Sequence, residues 1–189
     1  MANVAAEDRG KTRTKVTQAA SILFYEQGAG NTSLADISEA SGVSLGNIYY
    51  YFKTKDDLMD AVIARRASEL ESALAKAEDE PAPLDRLVTL LEASRAERKT
   101  LSRHGCPYAA LVRDADKLES EHDAAQLLRS WLDYAEEQFT AMGLDTPAAL
   151  AAEFVSRIQG AYLLANAFKS PEFLDAQLKG LKAWLKTLT

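Results

Sequence analysis

The run from Thr32 to Leu58, TSLADISEASGVSLGNIYYYFKTKDDL, constrains the fold more than any other part of the chain, because it sets two short helical patterns on either side of one glycine. Thr32 or Ser33 suits the N-cap of a helix whose apolar positions Leu34, Ile37 and Ala40 recur every three residues. Gly42 follows where a left-handed C-terminal residue is wanted. The spacing predicts a first helix of about three turns ending at Ser41. Val43 is apolar and plugs the space between the helices, and Ser44 is the N-cap of a second helix through Leu45, Ile48, Tyr49 and Phe52. A turn of three to four residues that contains a glycine is the joint of a helix-turn-helix. Leu45, Ile48 and Phe52 share one face and are expected to pack inward. Ser44, Gly46, Asn47 and Tyr50, with Tyr49 and Tyr51, then point outward or sideways.

The outward set is small or hydrogen-bonding, which suits a DNA major groove. Gly46 lets the backbone approach closely, Asn47 can bond a base edge, and tyrosine hydroxyls can reach phosphate oxygens. Lys53 and Lys55 follow at once. Thr54 is the expected N-cap of the next helix and Asp56 and Asp57 suit its first turn, so Lys55 and the helix N-terminus can address one phosphate together. A surface hairpin packed by its aromatics is the competing reading. Such a hairpin does not need this density of turn glycine, exposed amide and lysine.

The stretch from Val16 to Leu58 resembles the TetR-type one-component transcriptional regulators, through an apolar helix ending in Phe24, Tyr25 and Gly28 followed by the run quoted above. Ser41 stands where that family more often has alanine, and Tyr50 where histidine is also common. The resemblance implies that Thr32 and Ser33 touch phosphate, that Ser44, Leu45, Gly46, Asn47 and Tyr49 lie along the groove, and that Tyr50 and Lys55 contact phosphate. It also implies a DNA-binding domain over residues 1–55 and a helical effector-binding and dimerisation domain over 56–189.

Charge bears on this reading only locally. The 189 residues carry a net charge of −6, and residues 1–60 hold six Lys and Arg against eight Asp and Glu. The positive charge clusters at Arg9, Lys11, Arg13 and Lys15 and again at Lys53 and Lys55; an acidic remainder is expected to suppress loose binding to nucleic acid. No run of eighteen apolar residues and no basic-then-apolar leader is present, which predicts a soluble, cytoplasmic protein that does not engage membranes. The single cysteine excludes an intramolecular disulfide.

Beyond residue 58 the helical rhythm persists without a period-two strand, a repeat or a low-complexity segment, so an all-α chain of about nine helices is expected. The fourth helix is predicted from Asp56 to about Ala77, and the prolines and acids of Glu78 to Pro83 end it. A fifth runs from Leu84 to about His104, and a sixth starts at Tyr108 after Gly105, Cys106 and Pro107. Leu127, Trp131, Tyr134, Gln138 and Met142 stripe a seventh that ends at Gly143. Thr146 and Pro147 open an eighth, along which lie Phe154, Ile158, Ala161, Tyr162, Ala165 and Phe168. Pro171 opens a ninth, with Leu174, Leu178, Leu181, Leu185 and Leu188. In the family resembled, two such long C-terminal helices from each subunit form a four-helix dimer interface. A two-fold pair of reading heads also meets half-sites about 34–36 Å apart or a multiple of it. Intramolecular core packing is the plainer reading of the same pattern.

The aromatics Tyr108, Trp131, Tyr134, Phe139, Phe154 and Tyr162 fall in the C-terminal half, where members of the family resembled bind small, often apolar or aromatic effectors. An aromatic stripe is more often plain core than a ligand box. Cys106 is the sharpest local feature there. It stands at the expected N-cap of the sixth helix with Arg103 and His104 before it, a setting that favours thiolate. The segment GCPYAALVRD resembles a Gly-Cys-Pro or Gly-Cys-Leu motif of one branch of TetR-type regulators, some of which sense electrophiles or oxidants through cysteine. By that analogy Lys169 is its suspected partner. The plainer reading makes Cys106 a buried small hydrophobe.

Catalysis is the third option. His104 and His122 are the only histidines, and no Ser-His-acid, metal-spaced or phosphate-cradling motif surrounds them. A metal site from His104, Cys106 and Asp114 has irregular ligand spacing, and the acidic run Glu119 to Asp123 reads as a solvated face. No cofactor is expected. The expectation is a homodimeric, all-helical regulator that binds double-stranded operator DNA, more a repressor than an activator, released when a small-molecule effector shifts the body through the fourth helix. A thiol sensor acting through Cys106 and an enzyme built on the same body are the alternatives.

Overall fold

The described residues of the computed structural model are 2–116 and 123–188, with side chains from residue 10 onward. The side chain of Arg9, His122 and the acidic run from Glu119 to His122 lie outside them. Every regular element among the described residues is helical: α1 (Ala2–Gln27), a 3-10 turn (Ala29–Asn31), α2 (Leu34–Ser41), α3 (Leu45–Tyr51), α4 (Lys55–Ala77), α5 (Pro83–Ala96), α6 (Arg98–His104), α7 (Pro107–Ala115), α8 (Gln126–Ala141), α9 (Pro147–Phe168) and α10 (Pro171–Leu185). The chain is all-α, with an N-terminal helix-turn-helix, as its periodicity predicts.

Two compact units divide the chain. The first comprises Met1–Ala67 with Ala110–Ala124, and the second Ser68–Ala109 with Ala125–Thr189. α4 and α7 each carry residues of both units.

In the first unit, Phe24 of α1, Ile37 of α2, Ile48 of α3, the following Phe52, and Leu58 and Met59 of α4 are at most 1% exposed. Full burial of each such side chain is worth about 1.5–3 kcal/mol, which fixes the two short helices α2 and α3 that would not hold alone in water. Two cations flank this core: Arg13 lies 5.1 Å from the Phe52 ring and Lys55 5.9 Å from the Phe24 ring.

The second unit packs α5, α6, α8, α9 and α10 around Leu87, Leu91, Phe139, Phe154, Ile158 and Leu174. Phe139 meets Phe154 edge to face at 6.0 Å between centroids. Gln138, which interrupts the apolar stripe of α8, is buried and accepts from Arg86 Nη1 at 3.3 Å. Across α5 and α10, Arg95 Nη2 reaches Asp175 Oδ1 at 2.8 Å and Lys182 Nζ reaches Glu92 Oε1 at 2.8 Å. Lys182 holds the Glu92 carboxyl below the usual carboxylate range, and Lys179 and Arg95 do the same to Asp175.

Three local expectations change. The helix expected from Leu84 to His104 breaks at Glu97 (φ −86, ψ 9), so α5 and α6 stand in its place. The Arg98 guanidinium donates to the Arg95 carbonyl beside the break at 3.0 Å. The first helix of the helix-turn-helix has eight residues, about two turns rather than three, because it begins only at Leu34. Thr146 precedes α9 in a left-handed conformation (φ 58) and its side chain caps nothing.

Candidate nucleic-acid interface and body cavity

Ser33 is the N-cap of α2 in a complete capping box. Its hydroxyl accepts from the Asp36 amide at 3.1 Å, and the Asp36 carboxylate accepts from the Ser33 amide at 2.7 Å. The Ser33 hydroxyl also donates to the same carboxylate at 2.7 Å, and the donations from the Ser33 amide and hydroxyl, in that order of effect, hold the Asp36 carboxyl below its ordinary range. Gly42 ends α2 at φ 66, a conformation that side chains rarely adopt. The turn is sewn shut by Ser38, whose hydroxyl donates to the Val43 carbonyl at 2.7 Å, while Val43 itself is 8% exposed and fills the joint.

Ile48 and Phe52 turn α3 onto the core, and the opposite side stands in solvent. Ser44, Leu45, Gly46, Asn47, Tyr49 and Tyr50 are all exposed. Leu45 does not pack inward with Ile48 and Phe52, as its spacing suggested. At the first position of α3, Leu45 is 39% exposed. Ser44 occupies the N-cap of α3 without a side-chain capping bond, which leaves its hydroxyl available. Thr54 does cap: its hydroxyl accepts from the Asp57 amide at 3.0 Å, and Asp57 accepts from the Lys53 and Thr54 amides at 2.8 and 3.0 Å. Lys55 sits half-buried in the first turn of α4.

Thr32 is not on this surface. It is 2% exposed, and its hydroxyl donates to the Gly28 carbonyl at 2.9 Å. Its work is internal, closing the 3-10 turn that leads into α2. That turn has a second support which the sequence did not suggest. The buried carboxylate of Asp114, from the end of α7, accepts from the Ala29 amide at 2.8 Å. Eighty-five residues separate the partners, and no local pattern signals such a bond.

In the second unit a cavity of about 190 Å3 is walled by Leu70, Leu90, Leu101, Tyr108, Trp131 and Tyr162, with Ala73, Ala93, Ser94, Glu97, Cys106, Pro107 and Gln159. Of the candidate effector residues, Cys106, Tyr108, Trp131 and Tyr162 are brought together here. Tyr134 and Phe154 are not in the wall; both are core side chains. Burial and the neighbouring Glu78 push the Tyr134 hydroxyl well up. The Tyr162 hydroxyl donates to Ser94 Oγ at 2.6 Å, so two polar groups of the wall satisfy each other. Leu70, Glu97 and Gln159 have no distinguishing spacing in the sequence, and only the fold collects them.

Cys106 is held by its neighbours on both sides. Gly105 adopts φ 84 and ψ −163, a conformation reserved to glycine, and a Cβ there would lie 3.7 Å from Asn166. Burial pushes the Cys106 thiol up, against the lowering effect of the Ala109 and Tyr108 amides and Gln159. Desolvation outweighs the helix-end amides and disfavours the thiolate, in keeping with the plainer reading of Cys106 as a buried small hydrophobe. Lys169 does not supply a partner for it. The Lys169 ammonium donates to the Arg103 carbonyl at 2.9 Å, where with Asn166 it caps the end of α6.

Residues 16–62 match the family of bacterial regulatory proteins, tetR family. The chain is similar to the HTH-type transcriptional regulator TtgR of Pseudomonas putida, with 39% identity over 88 residues. That match covers 45% of this chain and only 41% of the relative. It is also 28% identical over 176 residues to an HTH-type transcriptional regulator of Mycobacterium tuberculosis, covering 86% of this chain and 88% of that one. Among solved structures, a TetR-family transcriptional regulator from Agrobacterium tumefaciens superposes with a TM-score of 0.79 at 23% identity, over 96% of this chain and 99% of that one. The segment that carries the helix-turn-helix therefore matches the tetR family of bacterial regulatory proteins, and the whole chain has the fold of the TetR-type structures it superposes on.

Proposed function

We propose that this protein is a homodimeric transcriptional regulator that represses by binding double-stranded operator DNA and lets go when a small effector occupies the body cavity. The observation that carries the reading is the exposed side of α3. Six consecutive or near-consecutive residues, Ser44 to Asn47 with Tyr49 and Tyr50, stand free of the core on a helix anchored from behind by Ile48 and Phe52. A short helix with glycine and asparagine in front suits base-edge contact, and Ser33, Tyr50 and Lys55 flank it as phosphate contacts. Thr32 is withdrawn from that set because its hydroxyl is already bonded and buried.

The surface of α9 supports the dimer reading. Leu163, Leu164 and Phe168 are 68%, 44% and 62% exposed, which is costly for large apolar side chains unless a second copy covers them. Coupling runs through chain continuity: α4 contributes Leu70 and Ala73 to the cavity wall and Lys55 to the first unit, and α7 begins at the cavity with Pro107 and Tyr108 and ends with Asp114. An effector must bind one dimer geometry better than the other to shift DNA affinity. The raised thiol of Cys106 favours reversible ligand binding over covalent sensing.

The test is a salt-dependent binding titration of the full chain against the DNA flanking its own coding sequence and against random DNA of equal length. Preferential binding as a dimer is expected, with affinity falling steeply with salt. Equal, weak binding to both fragments overturns the assignment for that region.

A further inference from the structure

The start of α3 divides its outer side between two chemistries. Successive residues of an α-helix lie about 100° apart, so Gly46 falls about 160° from the buried Ile48, with Leu45 on one flank and Asn47 on the other. A Cβ built on Gly46 would meet nothing within 4 Å, so the middle of the outer side is bare backbone open to a close approach. Asn47 offers an amide, and Ser44 before it a hydroxyl with no capping bond. Leu45 offers only hydrocarbon. It is 39% exposed, and Tyr49, one turn further along the same side, is 47% exposed.

In a helix-turn-helix the N-terminal residues of the second helix are those that meet base edges. In the major groove those edges carry hydrogen-bond donors, acceptors and one apolar group, the C5-methyl of thymine. A leucine pressed against a donor or acceptor strips water from an atom that it cannot bond. Against the methyl, both partners leave water together, which is favourable. A single exposed leucine on a protein surface needs no explanation. Leu45 is set apart by its place, at the first position of the reading helix and beside open backbone. Ile22 of α1, in the same unit and 47% exposed, is the control for exposed hydrocarbon elsewhere.

We propose that Leu45 is a specificity-determining residue of the reading helix, its side chain packing on the C5-methyl of a thymine in each operator half-site. The proposal rests on the operator-binding reading above and adds a base that the operator must carry. A contact with a methyl group involves no charge, so it sets preference among sequences without changing how many phosphates are neutralised. Removing the methyl from both half-sites is expected to weaken binding of a dimer about 15-fold, about fourfold for each head.

Uracil is thymine without that methyl and pairs with adenine in the same way, so the test changes the DNA and leaves the protein whole. Duplexes are selected for binding to the full chain from a random-sequence pool, and in the enriched sequence each thymine is replaced in turn by uracil, symmetrically in the two half-sites. For wild type, replacement at one position is expected to cost about 15-fold in affinity. In Leu45→Ala that position becomes indifferent to the methyl while the slope of affinity against salt is unchanged, and Ile22→Ala keeps the wild-type pattern. Should Leu45→Ala fold poorly, nuclear Overhauser contacts between the Leu45 methyl groups and a thymine methyl in the wild-type complex give the same answer. A loss of less than about twofold at every position, a loss that persists in Leu45→Ala, or the lack of that Overhauser contact overturns the inference and leaves the regulator reading in place. A pool that yields no enriched sequence removes the regulator reading, and the inference falls with it.

Discussion

Replacing Asp114 with alanine removes the acceptor used by the Ala29 amide and leaves that N–H sealed in the 3-10 turn before α2. The bond is 2.8 Å long, Ala29 is 1% exposed and Asp114 6% exposed, so water cannot substitute without opening the turn. Hydrogen bonds to charged acceptors contribute about 1.5–3 kcal/mol. Part of that is offset because the variant no longer desolvates a carboxylate, and the nearby Arg113, 64% exposed, adds little at 3.3 Å. A loss of about 2 kcal/mol is therefore expected in the local stability of the turn. If the turn opens locally, that loss raises amide exchange about 30-fold at Ala29, with the neighbouring Asn31 and Thr32 amides following. Native-state hydrogen exchange read by NMR on Asp114→Ala, with Asp114→Asn alongside, is the direct assay. The asparagine keeps an oxygen acceptor and is expected to restore most of the protection. An Ala29 exchange rate in Asp114→Ala within twofold of wild type refutes the reasoning, because the amide would then owe its protection to something other than this carboxylate.

Asn47→Ala is expected to relax preference at one operator position, whereas Lys55→Ala weakens binding to all sequences and reduces the salt slope by about one; titrations at several salt concentrations separate the two. Cys106 is expected to alkylate far more slowly in the native protein at pH 8 than in urea, as followed by iodoacetamide uptake, because burial raises its thiol. The sign for stability follows: its contribution is constant below the unfolded thiol value near 9.0 and is lost as pH rises beyond it, since the unfolded chain ionises first. Asp36 works in the opposite sense. Its carboxyl is lowered by Ser33, so the capping box contributes fully above the ordinary carboxylate value of 3.8 and is lost as pH falls through the lowered one. Asp36→Asn should flatten that acid limb in denaturation followed by circular dichroism.

The helix-turn-helix was legible because its signals are local. Capping residues, a left-handed glycine and an apolar spacing of three or four act within one turn of the chain, and Ser33, Gly42, Ile48 and Phe52 stand in the structure as those rules require. Errors arose where a residue's fate depends on distant chain. Thr32 and Ser33 are equivalent as candidate caps, yet only the packing of the preceding 3-10 turn decides that Thr32 is buried. Cys106 illustrates the same limit: the helix-end amides are read from local sequence, but the burial that outweighs them comes from α9 and the rest of the wall. The aromatic stripe of α8 could not be divided in advance either. Trp131 and Tyr134 are three residues apart, and one lines the cavity while the other lies in the core.

The division of labour within α3 has an evolutionary consequence. Two side chains, Ile48 and Phe52 just beyond the helix, fasten it to the core, while the six residues around them are exposed. Substitutions at those six positions carry little stability cost, so the address that such a helix reads can drift or be exchanged wholesale while the scaffold stays intact. Duplicated copies of a chain built this way can diverge onto new targets in a few steps, each intermediate remaining folded, without the compensating changes that a reading residue embedded in the core would demand.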